Sequence, residues 1–143
     1  MKQIFFLLVL TLWTLPSIAQ QDAPKPDLAK HKIVIQLTTA DTNVHKMVVK
    51  QIGNVLAAAP NAQIEIVCHA AGISMLMSAQ THVQPKIIEL KDKGVHFLAC
   101  ENTLRERKIA KEEIIPQAEY VPVGLLEIVR KQEKGWSYIR AAL

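Results

Sequence analysis

From Lys32 onward, short apolar runs alternate with longer segments of helical periodicity. Residues 95–99 form a short, nearly continuous apolar run, as expected of a parallel strand covered on both faces, and Lys32–Leu37 and residues 63–69 read as the first two strands. Residues 119–122 and 136–140 are shorter strand candidates. Between the first two runs, Val44, Met47, Val48, Gln51, Ile52, Val55, Leu56 and Ala59 recur at three- and four-residue steps. All but Gln51 are apolar, which predicts a helix with one buried face, stopped by Pro60 and Asn61. Gly53 costs roughly 1 kcal/mol relative to Ala inside a helix, and close packing on the sheet is its expected reason. Residues 70–80 are less regular and predict a short helix or lip beside the strand ends. Pro85 suits the first turn of a helix running to Lys93, with Ile87, Ile88 and Leu90 inward and Gly94 just past its end. A third main helix is expected over residues 103–113, with Thr103 and Glu106 as a capping box. A last one carries Leu125, Ile128 and Val129 on one face and ends at Gly135.

This alternation predicts an α/β fold, a parallel sheet with helices on both faces. Right-handed crossovers would gather the turns at residues 38–41, 69–72, 100–103 and 121–124 along one rim. Ligands in open α/β sheets bind outside the carboxyl ends of the strands. Cys100 sits where a strand ends and a helix begins, and the positive helix end favours its thiolate. It is the candidate catalytic residue. His69 follows the preceding strand at the same rim, as a candidate base or orienter. Asn102 and Thr103 offer an amide and a hydroxyl to an anion, or simply cap the helix. Thr38 and Asp41 are the candidates from the first rim turn. The competing reading makes Cys100 an inert, buried cysteine closing a strand and His69 a hydrogen-bonded rim histidine. Cys68 either bridges Cys100 or fills the core. A bridge requires converging side chains, which parallel neighbours often lack. Cys68, His69 and Cys100 lack the paired spacings of a metal site, so no metal is expected. No Gly-rich phosphate loop is present.

A chain of 143 residues without internal repeats suits one domain, and its 50% hydrophobic content supplies a real core. The formal net charge of +4 comes from scattered basic residues with no interleaved aromatics, which argues against nucleic acid as a partner. Lys2, an apolar stretch over residues 4–15, Pro16 and then Ser17-Ile18-Ala19 read as a signal peptide over residues 1–19. The stretch is too short for a membrane span, so no membrane association is expected after cleavage. Residues 20–30, with Pro24 and Pro26, read as a disordered leader to a domain over residues 31–143. The protein is then exported, periplasmic or secreted, into an oxidising compartment where two cysteines make no disulfide framework.

Three motifs in order carry a family resemblance. They are Gly94-Val95 through Ala99-Cys100-Glu101-Asn102-Thr103-Leu104, then Pro122-Val123-Gly124, then Lys131-Gln132-Glu133-Lys134-Gly135-Trp136-Ser137-Tyr138-Ile139. From about Lys32 to Ile139 the chain resembles the DsrE/DsrF-like family. The resemblance implies a three-layer α/β/α sandwich with a mainly parallel five-stranded sheet. It also implies a homo-oligomer, often a trimer or hexamer. Cys100 would carry sulfur as a persulfide between a donor and an acceptor protein, with no metal or organic cofactor required. Relatives with known roles work in the cytoplasm, so an exported member needs other partners. The alternative function is a non-catalytic oligomeric module that binds a small ligand or a partner segment, with Cys100 as pocket lining.

Overall fold

In the computed structural model, residues 25–142 are described. The expected signal peptide and residues 20–24 of the leader lie outside the described residues. Strands β1 (Lys32–Leu37), β2 (Gln63–Cys68), β3 (His96–Cys100), β4 (Glu119–Val121) and β5 (Ser137–Arg140) form one sheet in the order β4-β3-β2-β1-β5. Every pairing is parallel. Helices α1 (Thr42–Ala58), α2 (Gln84–Asp92), α3 (Glu101–Arg107) and α4 (Gly124–Glu133) complete the α/β sandwich. Among the described residues no helix is long and apolar enough to cross a membrane. Residues 25–30 have no regular structure but are tied to the end of α1. Asp27 N–H donates to Ala58 O at 2.7 Å, and the Asn61 amide donates to Leu28 O at 2.9 Å.

The strand order decides which helix covers which face. From β1 to β4 the chain moves steadily one way, so right-handed crossovers put α1, α2 and α3 on the same side. The return from β4 at one edge to β5 at the other carries α4 across the opposite side. Two cores of unequal size result. The large one joins Leu37, Ile66, Cys68 and Phe97 of the sheet to Val48 and Ile52 of α1, Leu90 of α2 and Leu104 of α3. The small one contains Val34, Val67, Leu98, Val121 and Ile128, with Trp136 against them.

Several expected faces are corrected by this packing. On α1 the buried stripe is Val44, His45, Val48, Val49 and Ile52, while Gln51 is exposed. Ile87 and Leu90 of α2 are fully buried but Ile88 points outward. On α4 only Ile128 of the expected trio is buried; Leu125 and Val129 face away from the sheet. One helix lying alone on a sheet can bury only the stripe that touches it.

The third helix is shorter than its charge pattern predicts. It starts at Glu101 with Cys100 in the N-cap position and ends at Arg107. Lys108 turns left-handed at φ 55°. Its N–H donates to Arg105 O and that of Ile109 to Leu104 O, which is a Schellman closure. A separate 3₁₀ turn, Lys111–Glu113, follows. The expected capping box at Thr103 and Glu106 does not form, because Thr103 lies inside the helix rather than before it. Glu113 instead reaches back to the Ala110 N–H at 2.8 Å.

Two glycines have opposite reasons. A β-carbon on Gly72 would lie 2.2 Å from Leu37 O, so the turn after β2 touches the end of β1 backbone to backbone. Gly53 is not pressed on the sheet; its β-carbon would meet only the end of the Lys86 side chain, at 3.8 Å. Gly72→Ala is therefore expected to lower stability by about 2–3 kcal/mol through overpacking. Gly53→Ala is expected to raise it by roughly 0.5–1 kcal/mol through helix propensity. Urea unfolding midpoints of the two variants check both signs.

Candidate functional site

The candidate site lies at the carboxyl ends of β2 and β3, on the face that α4 covers. Side chains alternate along a strand, so Leu98 and Cys100 face α4 while Phe97 and Ala99 face the large core. Cys68 pairs with Ala99 in register and shares its face. The two cysteines therefore emerge on opposite sides of the sheet, and both are free thiols. Burial pushes the Cys68 thiol far up, as expected of a core residue. Among the described residues no three His, Cys, Asp or Glu side chains converge as metal ligands.

Cys100 is only 4% exposed, yet its sulfur is well supplied with donors. Gly124, the first residue of α4, donates its N–H to Cys100 Sγ at 3.2 Å. The Thr103 hydroxyl accepts from Ala70 N–H at 3.1 Å. Burial pushes the Cys100 thiol up. The Thr103 hydroxyl and the N–H groups of Gly124, Thr103 and Asn102 outweigh that push, and the thiol titrates below its ordinary value. Ala70 holds a left-handed φ of 50°, a strained conformation for a residue with a β-carbon.

The approach of α4 is possible because residue 124 has no side chain. A β-carbon there would lie 3.0 Å from Val67 Cγ1, 3.2 Å from Cys100 Cβ and 3.4 Å from His69 Cβ. Cys100 and His69 thus flank the same backbone atom. The His69 ring turns the other way, toward β1. The Gln36 amide nitrogen donates to His69 Nε2 at 2.8 Å, and the Tyr138 hydroxyl donates to Gln36 Oε1. His69 Nε2 is consequently an acceptor, and the ring hydrogen sits on Nδ1. Burial holds the imidazole below its usual pKa, so it is neutral near pH 7. No hydrogen bond joins His69 to Cys100 among the described residues, so the ring is a neighbour of the thiol and not its base in this arrangement.

Of the residues chosen from sequence, Cys100, Thr103, His69 and the Asn102 backbone come together. The Asn102 side chain does not join them: it accepts from Arg105 at 2.8 Å and donates to Glu106 at 2.7 Å along α3. Asp41 caps α1 by accepting from Asn43 N–H at 2.8 Å. Thr38 abuts the Gly72 turn through its backbone. Three members were missed. Gln36 is polar within an otherwise apolar strand pattern, a visible signal. Gly124 opens a helix immediately after a strand, also visible. Tyr138 reaches Gln36 from 102 residues away, and no local pattern marks it.

The DsrE/DsrF-like family model matches residues 31–141. No curated protein matches the chain. Among solved structures the chain is similar to MTH1491, a protein of unknown function from Methanobacterium thermoautotrophicum, at 28% identity and a TM-score of 0.73. That similarity covers 78% of this chain and 99% of the other.

Gly124→Ala tests the geometry of the thiol. The new methyl group would push α4 off Cys100 and lengthen the N–H contact. Site-resolved alkylation against pH is expected to give a midpoint for Cys100 below that of an ordinary thiol in the parent protein. The substitution should raise it by roughly half a pH unit. Cys68 should stay unmodified until the protein unfolds.

Proposed function

The chain belongs to the DsrE/DsrF-like family, a family associated with sulfur transfer, and from that premise we propose that it is a sulfur carrier loaded at Cys100. The Gly124 N–H donated to Cys100 Sγ where the strand ends is the observation that carries the reading, and the thiol is held below its ordinary value there. The thiolate attacks the outer sulfur of a persulfide donor. A sulfur–sulfur bond forms on Cys100, the donor's own sulfur–sulfur bond breaks, and the donor thiolate leaves with the electron pair. Passing the sulfur to an acceptor thiolate repeats the exchange in reverse, so no net oxidant is consumed. The Gly124 N–H holds the thiolate before attack and the leaving thiolate after delivery.

The carrier acts outside the cytoplasm, with residues 1–19 as its export signal and donor and acceptor proteins of that compartment. It works as a homo-oligomer, a trimer or hexamer. Assembly is supported by the outward apolar face of α4, where Leu125, Leu126 and Val129 are all exposed.

One observation favours a second reading. Cys100 is covered, and the cavities between α1 and β5, between α1 and α2, and along α3 are not lined by it. A non-catalytic binding module with Cys100 as lining would have this property. Mass spectrometry of the mature protein after incubation with a small-molecule persulfide separates the two. The carrier reading expects a +32 Da adduct, the mass of one sulfur atom, that maps to Cys100 and is absent from Cys100→Ala. An unmodified Cys100 under conditions that load a free thiol overturns it in favour of the module. Sedimentation tests the assembly: Leu125→Glu with Val129→Glu should release monomers that retain their fold. A monomeric parent protein overturns that part.

A further inference from the structure

We infer that the free edge of β5 is an interface with a second copy of this chain, formed by antiparallel pairing of β5 with β5 across a two-fold axis. The two edges of the sheet differ. Strand β4 has only three residues and is followed by Pro122, and its Glu119 accepts from Lys91 at 3.0 Å and meets His96 at 2.9 Å. Short strands, charges and proline are what keep a sheet edge from pairing with another chain. Strand β5 has no proline, and all four of its residues are exposed. In a parallel pair, alternate residues turn their main-chain groups toward the neighbouring strand. Ala141 N–H donates to Gln36 O at 2.9 Å, so Ile139 and Ala141 face β1. The main-chain N–H and C=O groups of Tyr138 and Arg140 therefore point off the sheet.

The side chains beside this edge also lack cover. Ile139 pairs with Ile35 and so lies on the face of the large core. Helix α1, which connects β1 to β2, leaves it 48% exposed. A cavity of about 110 Å³ opens between α1 and β5, walled by Ile33, Met47, Val55 and Ile139. Arg140 is the only charged residue on that wall. A second copy brought against the edge would meet an apolar flank with almost no charge to desolvate.

The order Tyr138-Ile139-Arg140 is complementary to itself, which makes the occupant a second copy. With Ile139 on the axis, it meets Ile139 of that copy as a non-hydrogen-bonded pair, the closer of the two antiparallel spacings. Tyr138 then lies opposite Arg140 of the second copy, and these are the residues whose main-chain groups point outward. Each such pair exchanges both N–H···O bonds, and the two-fold repeats the pair. A guanidinium meets an aromatic ring and not another guanidinium. The contact is small beside the roughly 1,200 Å² of an interface that stands alone, so it holds best between copies already gathered through α4. For that strength the inference rests on the assembly proposed above. A ring of three closed through α4 leaves every β5 edge free. Pairing those edges joins two rings through several weak contacts at once, so the assembly is a hexamer and not a trimer.

Sedimentation of the mature protein, with amide exchange over β5, tests the pairing. The parent should sediment as a hexamer. Ile139→Lys sets like charges against each other on the axis and should give trimers with an unchanged far-UV circular dichroism spectrum. Arg140→Pro removes an outward N–H and no bond to β1, and should do the same. The Tyr138 and Arg140 amides should exchange on the order of a hundredfold faster in Ile139→Lys than in the parent. A hexamer that survives both substitutions overturns the inference, as does a trimeric parent. A trimer whose β5 amides exchange slowly has the edge covered by its own leader, and this too overturns it. The two interfaces fail separately. A trimeric parent that Leu125→Glu with Val129→Glu dissociates keeps the α4 contact and loses the β5 pairing. A dimeric parent that Ile139→Lys splits keeps the pairing and loses the α4 contact.

Discussion

The backbone of α4 meets the sheet at Gly124 with no side chain between them, and the character of the candidate site depends on that contact. The same N–H that caps nothing within its own helix donates to Cys100 Sγ. It covers the sulfur and lowers the pKa of the thiol at once. Covering alone would raise that pKa, as it does for Cys68 on the other face. Cys68 is sealed in the core with no donor among the described residues, whereas Cys100 is less deeply buried and accepts a main-chain N–H from the start of a helix.

What holds α4 down is modest. Its small core is supplemented by one ion pair at its far end, where Lys131 meets Glu65 and lies 4.4 Å over the Trp136 ring. Glu65 is only 8% exposed, and its second oxygen has no hydrogen-bond partner among the described residues. A carboxylate left there without its lysine is costly, on the order of 3–5 kcal/mol, so the pair acts against displacement of the helix. The N-terminal end of α4 has no such anchor beyond Gly124 itself and Ile128.

The two faces of the sheet thus do different work. Three helices seal one face into a continuous apolar core. The other carries a single helix, and where that helix does not reach, the strand ends keep polar side chains. Gln36 in β1 and Tyr138 in β5 sit at positions that would be apolar on the sealed face. They bond to each other and to His69 because the sheet order places β5 beside β1, although β5 is the last strand in the chain.

Local pattern alone determined the alternation of strand and helix, the parallel sheet and the position of Cys100 at a carboxyl-terminal rim. Those features follow from periodicity, because burial on two faces or on one stripe leaves its period in neighbouring residues. It also marked the turn at Gly94. It misplaced the cap of α3 by three residues, since Thr103 and Glu106 have the right spacing but lie about one turn too deep, and Cys100 takes the cap position. Only the tertiary structure decided which face each cysteine takes, which way the apolar side of α4 points, and which polar groups meet at the rim. Those contacts join strands that are distant in the chain, and lateral neighbours in a parallel sheet are set by strand order and crossover hand, which leave no period in the residues themselves.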